Sequence, residues 1–426
     1  MKFTNRKGRL AAVAAVASLV LGATSFATVA VAAPKKTEVS FLTFTSPALT
    51  KSFWQAQAKA IEKANPDISI KVLFTPTLDR HGYAKQLLAS GQLPDVVWDV
   101  PLTDFVKAGA LLPFPKSYYS KINVPSDFGA VNGKQYSLSS GAFMMNNMFY
   151  NIEAFAKAGV SVPKTFADLK AAGPKLKAAG YTPILMNAAD LWADEYLLDG
   201  FVASDVLAKS PNWLKLRKGG IVKFDSPNFR SAVQKFVDII DADMINSDVM
   251  SLDWGKAVTA WSSGKYAMWP MGGWGGGAGY KTNGFTAGLF PIPGNNQVVA
   301  VSPGPSIYVS SSTKVKNAAL KVALGLANSK GYAESVMIND GQLSVIKGGI
   351  KPPKGTTKAT LAAIKFASSK NVKKVWPFPT TSSGDDAPPS GWVGEYQNAI
   401  QGLLTGKTSV DAFVKTLDAK WDSLSK

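Results

Sequence analysis

The sequence predicts an α/β protein made of two lobes. Strand-like segments at residues 39–44, 68–74 and 96–98 alternate with helical ones such as residues 53–63, which is typical of an α/β architecture with parallel strands. The 426 residues exceed what one ordinary core requires. No internal repeat or long low-complexity linker divides them, so we expect the lobes to interleave along the chain or to meet at short crossings.

The N-terminus has the pattern of a secretory signal peptide. Four basic residues come first: Lys2, Arg6, Lys7 and Arg9. An uncharged run rich in Ala, Val and Leu follows and ends in a small-x-small pattern at residues 30–32. We expect cleavage near Ala32 or Ala33, which removes residues 1–33. Because the run is long enough to span a bilayer, a retained membrane anchor is the alternative.

The composition excludes several classes of site. The chain has no cysteine, so disulfides, thiolate metal sites and a lipid-modified cysteine at the cleavage point are impossible. His81 is its single histidine, which excludes a Cys/His nucleophile pair and a multi-histidine zinc site. No cofactor is predicted. These features, with the signal, predict a free periplasmic or secreted protein.

The chain is strongly basic. Removal of the four basic residues of the leader lowers the formal charge from +18 to +14. The lysines are scattered among Ala-rich helices instead of forming one basic run, and export makes nucleic acid an unsuitable partner. The charge therefore indicates a general electrostatic property of the protein surface. Binding of an anionic ligand is the alternative.

Residues 148–183 form the most distinctive segment. An apolar, aromatic strand at residues 148–150 precedes a first helix, and Thr165 with Asp168 forms a capping-box pattern at the start of a second. Gly173-Pro174 is expected to interrupt or kink that second helix. None of these residues performs chemistry, so the segment identifies a scaffold without naming a ligand.

This segment resembles one common in the extracellular solute-binding proteins of bacterial sugar ABC importers, the group that includes maltose-binding protein. Further blocks fit the same family in the same order: the strand and helix of residues 38–66, residues 93–99 with 105–112, residues 264–268 with 272–274 and 288–294, and Trp392 with residues 403–407 and 421–422. Each block is weak alone, but together they span most of the mature chain.

The resemblance implies the bilobal periplasmic-binding-protein fold, in which two α/β lobes joined by hinge crossings close on a ligand in the cleft between them. The first crossing is expected near residues 142–147. The N-terminal lobe then comprises residues 34–146 plus about 302–350, and the C-terminal lobe residues 147–301 plus about 351–426. The implied function is capture of a sugar or small oligosaccharide by a monomer that delivers it to a membrane ABC permease, without catalysis.

Aromatic platforms paired with hydrogen-bonding side chains suit a sugar, because its ring has C–H faces and hydroxyl edges. Trp98 and Asp99 end a predicted strand, where α/β sheets bind ligands; alternatively Trp98 is core and Asp99 caps the next helix. Trp274 lies among glycines and resembles the stacking tryptophan of the family. A mobile glycine loop is its alternative.

The remaining candidates surround these positions. Asn146 and Asn147 flank the expected crossing, Asp190 and Trp192 lie just after the distinctive segment, Trp392 matches an aromatic contact of relatives, and Thr45 and Ser46 follow the first strand. The alternatives are simple turn residues for the two asparagines, a solvated helix face for the acids and a packing anchor at a helix start for Trp392.

Two other functions remain open from the sequence. The net charge is compatible with an anionic solute such as a sugar acid or glycerol phosphate. A secreted carbohydrate-active enzyme would need two carboxylates, for which Asp99 with Asp190 or Glu195 are the candidates.

Overall fold

The computed structural model describes residues 35–76, 79–125, 128–378 and 387–426. The predicted signal peptide lies outside these residues. The strands are, in chain order, β1 Thr37–Thr43, β2 Ile68–Phe74, β3 Val96–Trp98, β4 Ala130–Val131, β5 Lys134–Gln135, β6 Leu138–Ser139, β7 Ala142–Met144, β8 Asn147–Asn151, β9 Thr182–Ile184, β10 Tyr266–Pro270, β11 Ala287–Pro291, β12 Val298–Pro303, β13 Ser306–Val309 and β14 Lys373–Val375.

The helices carry most of the remaining chain. They are α1 Lys51–Ala64, α2 Arg80–Ala89, α3 Leu102–Lys107, α4 Ile152–Lys157, α5 Phe166–Ala178, α6 Tyr196–Val202, α7 Trp213–Lys218, α8 Pro227–Asp241, α9 Trp254–Ser262, α10 Lys316–Asn328, α11 Lys330–Asp340, α12 Lys358–Ser368, α13 Trp392–Leu404 and α14 Val410–Leu424. Short 3-10 turns at Leu191–Ala193 and Gly273–Gly276 matter for the site. No helix in the described part of the chain is long and apolar enough to cross a membrane.

The first sheet has the strand order β2-β1-β3-β13-β6. β1 pairs in parallel with β2 and β3, whereas β13 runs antiparallel to β3 and β6. Helix α1 packs beside β2 because Trp54, Ala58 and Ile61 recur on one helical face and are buried. The hydroxyl of Thr50 caps α1 by accepting the backbone N–H of Phe53.

The second sheet has the order β11-β8-β10-β9. β8 is antiparallel to both β11 and β10, and β9 is parallel to β10. The parallel pairing expected from the sequence is therefore present in both sheets, in each case mixed with antiparallel pairs. Helix α5 packs on β9, α12 on β11, and α8, α13 and α14 contact one another. All of these strands and helices except α12 to α14 come from one continuous part of the chain.

A third sheet, β14-β12-β7, links the other two. The chain leaves the first sheet through β7 and enters the second at β8, and it returns through β12 to β13. β7 and β12 are antiparallel, and Asn146 fastens them: its Nδ2 donates to the Val298 carbonyl at 2.9 Å and its Oδ1 accepts the Ala300 N–H at 2.8 Å. Two chain passages thus lie side by side where the sequence predicts a crossing.

The predicted local elements can be compared directly with the structure. β2 and β3 have the expected bounds, and β1 begins two residues earlier and ends one residue earlier than expected. The capping box of Thr165 and Asp168 is present with both hydrogen bonds. Helix α5 continues through Gly173-Pro174, so the expected interruption is wrong, whereas the alternative of a kink stays a prediction. Gly173 has a packing role there, because a Cβ on it would lie 2.9 Å from the Met244 sulfur.

Candidate functional site

The first sheet contributes a charged and aromatic corner at the carboxyl ends of β1 and β3. Asp99 follows β3 with a left-handed φ of 54°, which turns its carboxylate onto the Arg80 guanidinium. That guanidinium lies over the Phe44 ring, 4.5 Å from its centroid. Phe44 also packs on Trp98, at 5.6 Å between ring centroids. Arg80 is therefore held by both charge and stacking.

Asp99 is a fixed acceptor. Burial raises the pKa of its carboxyl group, but the charges of Arg80 and His81 outweigh that effect, so the pKa lies below its ordinary value. The group is ionised at neutral pH. Helix α3 begins at Leu102 without a side-chain cap, so Asp99 does not cap that helix.

Trp98 is buried, with 3 % of its surface exposed, and its ring meets the Trp54 ring edge to face at 4.2 Å. The ring is thus packed as a core residue. Its indole N–H, however, has no hydrogen-bond partner among the described residues, whereas the N–H of Trp54 donates to the Phe44 carbonyl at 2.8 Å. A buried donor left unpaired at the end of a strand is one that a ligand can satisfy.

The turns and helices around the second sheet contribute an aromatic cluster, consisting of Trp192, Tyr196, Trp254 and Trp274. Trp192 and Trp274 are half-buried, with ring centroids 6.2 Å apart. Tyr196 meets Trp274 edge to face at 5.6 Å, and Trp254 lies 5.3 Å from Trp192. Gly272 allows the Trp274 ring to fold back over the turn, since a Cβ there would lie 2.3 Å from the ring.

The two sides of the site touch. Tyr280 follows the Trp274 turn; burial raises the pKa of its hydroxyl, and the nearby Ser46 side chain in the loop after β1 acts in the opposite direction. Gly279 lies so close to Ala48 that a Cβ on the glycine would be 2.4 Å from the Ala48 Cα. Burial raises the pKa of Tyr196 well above its ordinary value, and the charges of Arg80 and Asp99 also act on it, so the charged corner approaches the aromatic cluster.

Acidic groups are buried behind the aromatic cluster. Gln397 donates to the Glu195 carboxylate at 2.9 Å, and the Tyr396 hydroxyl donates to Asp199 at 2.7 Å. Both carboxylate oxygens of Asp194 lack a partner within the described residues, and burial and then Asp199 raise its pKa well above the ordinary value. Asn187 is also buried with both amide atoms unpaired there. The side chains of Asp194 and Asn187 are thus a second place where buried polar atoms lack a partner within the described residues.

The side chains of the two predicted asparagines form hydrogen bonds with the backbone. Asn146 uses both amide atoms to hold β12, and the Nδ2 of Asn147 donates to the Met144 carbonyl at 2.6 Å. Both side chains are buried, and only Oδ1 of Asn147 has no partner among the described residues. They thus position the crossing, which is a structural role close to the turn-residue alternative.

The other predicted residues divide between site and scaffold. Trp192 joins the aromatic cluster, and Asp190 accepts the Trp254 backbone N–H at 2.6 Å, which fixes the start of α9. Thr45 and Ser46 are half-buried in the loop after β1, where the Ser46 hydroxyl accepts the Leu49 N–H at 3.0 Å.

Trp392 lies in the core, away from the aromatic cluster. It has no exposed surface, stacks on Tyr396 and Phe224, and donates its N–H to the Leu417 carbonyl at 3.3 Å. As the first residue of α13 it is the packing anchor that the alternative interpretation described. Its expected ligand contact is incompatible with this burial.

Sequence reasoning missed Phe44, Arg80, Tyr196 and Trp254. Tyr196 is four residues beyond Trp192, and Phe44 directly precedes the predicted Thr45, so spacing and strand ends carried a usable signal for both. Nothing in the sequence around Arg80 indicated that its helix begins beside Asp99. Within the described residues, no group of three or more His, Cys, Asp or Glu side chains is arranged to hold a metal ion.

Two sheets flanked by helices and joined by paired strands, with a charged corner on one side close to an aromatic cluster on the other, define a bilobal solute-binding protein. Residues 46–324 match the family of bacterial extracellular solute-binding proteins, and this chain belongs to that family. The family expected from the sequence motifs is thereby confirmed.

Known relatives extend over most of the chain. It is 22% identical over 383 residues to the multiple sugar-binding protein of Streptococcus mutans, covering 85% of this chain and 83% of that protein. The solved structure of a chitin oligosaccharide binding protein superimposes with a TM-score of 0.76 at 17% identity, covering 91% of this chain and 99% of that one. SBP RafE in complex with raffinose gives a TM-score of 0.72 at 19% identity, covering 92% and 100%. These likenesses establish the bilobal fold.

Proposed function

We propose that this solute-binding protein captures a sugar or small oligosaccharide and delivers it to the permease of an ABC transporter. The observation that carries the proposal is the pair of half-buried tryptophans, Trp192 and Trp274, which pack on Tyr196 close to the ionised Asp99. Sugar rings stack on such indoles while their hydroxyls need fixed acceptors and donors. Relatives named for chitin oligosaccharide, raffinose and multiple sugars support the same solute class.

In this proposal Trp274 is the main stacking platform and Trp192 the second. The Asp99 carboxylate accepts from hydroxyls, and the Trp98 N–H donates to one. Thr45 and Ser46 line the rim. The unpaired Asn187 supplies a further donor and acceptor. Binding closes the cleft because these contacts are complete only when the lobes meet.

We propose that one lobe comprises residues 34–146 plus about 302–350, and the other residues 147–301 plus about 351–426. The proposed hinge is the pair of passages between β7 and β8 and between β12 and β13. We further propose that residues 1–33 are a cleaved leader and that the mature protein acts as a monomer in the periplasm or outside the cell. No catalytic step is assigned.

Isothermal titration of the exported protein against a panel of mono- and oligosaccharides tests the function. We expect saturable binding of at least one sugar. Binding restricted to sugar acids or glycerol phosphate, with steep weakening by salt, would replace the neutral sugar by an anionic solute.

The enzyme alternative has a separate test. Asp99 is paired with Arg80, Asp190 accepts a backbone N–H and Glu195 accepts from Gln397, which supports binding without catalysis. Incubation of a polysaccharide with concentrated protein is expected to leave the substrate unchanged. Release of shorter products would instead establish a carbohydrate-active enzyme.

A further inference from the structure

Residues 341–384 are strongly basic, and the proposed solute contacts include none of them. This stretch contains eight lysines and no Asp, Glu or Arg. It includes the loop before α12, α12 itself and β14. Elsewhere in the described chain, lysines commonly pair with acids, as Lys170 does with Asp238 and Lys415 with Asp411. The lysines in this stretch have no such neighbours along the sequence.

Helix α12 arranges part of this charge on one exposed face. Its opposite face is buried against β11 and the Gly273–Gly276 turn through Ala359, Thr360 and Ala363. Lys358, Leu361 and Lys365 follow at helical spacing and are exposed. The Leu361 side chain is notable, because 43 % of its surface is exposed between two lysines.

Two further lysines border this helix. Lys354 is exposed and lies in the loop just before α12. Lys374 donates to the carbonyl of Ser369, the residue that follows the end of α12, at 2.6 Å. We call Lys354, Lys358, Leu361, Lys365 and Lys374 the α12 face.

No ion pair among the described residues involves a lysine of the α12 face. The carboxylate of Glu153 is near enough to Lys358 for the lysine charge to lower its pKa slightly, although burial acts against this and hydrogen bonding by Thr286 contributes more. Glu153 accepts the Thr286 backbone N–H at 2.8 Å, so it is already hydrogen-bonded. The face therefore keeps an excess of positive charge.

We propose that the α12 face docks on an anionic phospholipid surface. Lysines near such a surface are attracted to the headgroup phosphates, and each contributes about fivefold to binding. Leu361 discriminates between lipid and a soluble polyanion. An exposed leucine flanked by lysines inserts at the headgroup boundary, whereas a soluble polyanion offers it no apolar layer. Because the chain has no cysteine, it cannot be held at a membrane by a lipid-modified cysteine.

Docking through this face leaves the solute site accessible to its ligand. Thr357 and Thr360 at the start of α12 bond the Gly276 carbonyl, so the turn that carries Trp274 lies on the inner side of the helix. The lysines and Leu361 lie on its outer side. Substitutions on the α12 face are therefore expected to leave sugar affinity unchanged, which separates this inference from the proposed function.

Sedimentation with vesicles tests the proposal on the exported protein. Phosphatidylcholine vesicles with phosphatidylglycerol are expected to bind it, and vesicles of phosphatidylcholine alone are not. The variant K354Q/K358Q/K365Q/K374Q should bind the anionic vesicles at least about tenfold more weakly. A matched control, K63Q/K71Q/K107Q/K134Q, removes the same charge from exposed lysines elsewhere and should lose less than about threefold.

Leu361→Ser changes no charge and should weaken vesicle binding several-fold while leaving binding to heparin, a soluble polyanion, unchanged. Thermal midpoints of all variants verify that they are folded. Equal losses in the two quadruple variants would overturn the proposal in favour of net charge alone. Unaltered vesicle binding by Leu361→Ser, with heparin bound as tightly as vesicles, would overturn it in favour of a soluble anionic polymer. Absence of binding to anionic vesicles would also refute it.

Discussion

The aromatic cluster of Trp192, Tyr196, Trp254 and Trp274 and the core cluster around Trp392 use similar residues in different ways. Trp392 stacks on Phe224 at 5.0 Å and on Tyr396 at 5.4 Å, with interplanar angles of 16° and 8°. It is fully buried, whereas Trp192 and Trp274 keep part of each ring exposed. Ring-to-ring contact alone therefore does not distinguish a binding surface from a core.

The polar groups beside Trp392 are paired. In the core cluster the Trp392 N–H has an acceptor, and Tyr396 donates to Asp199. The Trp98 N–H at the charged corner lacks a partner within the described residues, but so do the N–H groups of the buried core residues Trp261 and Trp269. An unpaired N–H alone therefore does not mark a solute contact, and the partial exposure of Trp192 and Trp274 is what separates the two clusters.

The largest expected effect is on the core. Trp392→Ala removes a buried indole at the junction of α13, α14 and the loop before α8, and should lower the free energy of unfolding by about 3–5 kcal/mol. Urea unfolding measures this loss. Sugar affinity of the folded variant, measured well below its midpoint, should change little. If the variant had normal stability but no longer bound sugar, Trp392 would instead be a ligand contact.

A pH effect of similar size is expected near the aromatic cluster, at Asp340. Burial raises the pKa of this carboxyl group to about 7, against the lowering effect of the hydrogen bond from Gln342. Because the folded protein holds the proton more tightly than the unfolded chain, the stabilisation is complete below pH 3.8 and is lost as pH rises toward 7. The shift corresponds to on the order of 4 kcal/mol.

Unfolding by urea at several values between pH 4 and 7 measures this dependence. Asp340→Asn should remove most of it, because the amide does not titrate. Asp194 has a raised pKa of the same sign, so the difference between wild type and variant isolates Asp340. An identical pH profile for the two proteins would exclude Asp340 as its origin.

The aromatic cluster should respond in affinity instead of stability. Trp274→Ala removes the proposed stacking platform and should weaken sugar binding by at least about 2 kcal/mol, or roughly thirtyfold, with a nearly unchanged thermal midpoint. Tyr181→Ala is the control, since Tyr181 is half-buried, directly precedes β9 and packs under Lys157 at 5.3 Å, within one proposed lobe. A large loss of stability with preserved affinity would make Trp274 a core residue.

Much of the fold could be predicted from the sequence because its signals are local. The bounds of β2 and β3 follow from apolar runs, and the cap of α5 follows from Thr165 and Asp168. Pro174 was misjudged because the packed α5 accommodates a residue that lacks an N–H. Local preference was overridden by tertiary packing there.

The site was predictable only where chemistry and chain position coincide. Trp274 and Trp192 were selected as aromatic residues near strand and segment ends, and both belong to the aromatic cluster. Trp392 met the same criteria, but its side chain is buried by contacts with α14 and Phe224, which are distant in sequence. Arg80 was missed because its partner Asp99 is 19 residues away. Such pairings depend on topology.

The smallest expected effect tests whether the two clusters are coupled. Tyr396 stacks on Trp392 and its hydroxyl donates to Asp199, which lies near Asp194 and Tyr196 behind the aromatic cluster. Tyr396→Phe keeps the stacking and removes one hydrogen bond to a buried carboxyl group, so stability should fall by about 1–2 kcal/mol.

Urea unfolding and sugar titration of Tyr396→Phe should be compared with those of Tyr196→Phe. If the clusters are independent, the Tyr396 variant loses stability and keeps its affinity, because the stacking rings on the solute side do not move. A comparable loss of affinity would show that the Asp199 carboxylate transmits its position to Tyr196 and hence to Trp274, so that the core and the binding surface act as one unit.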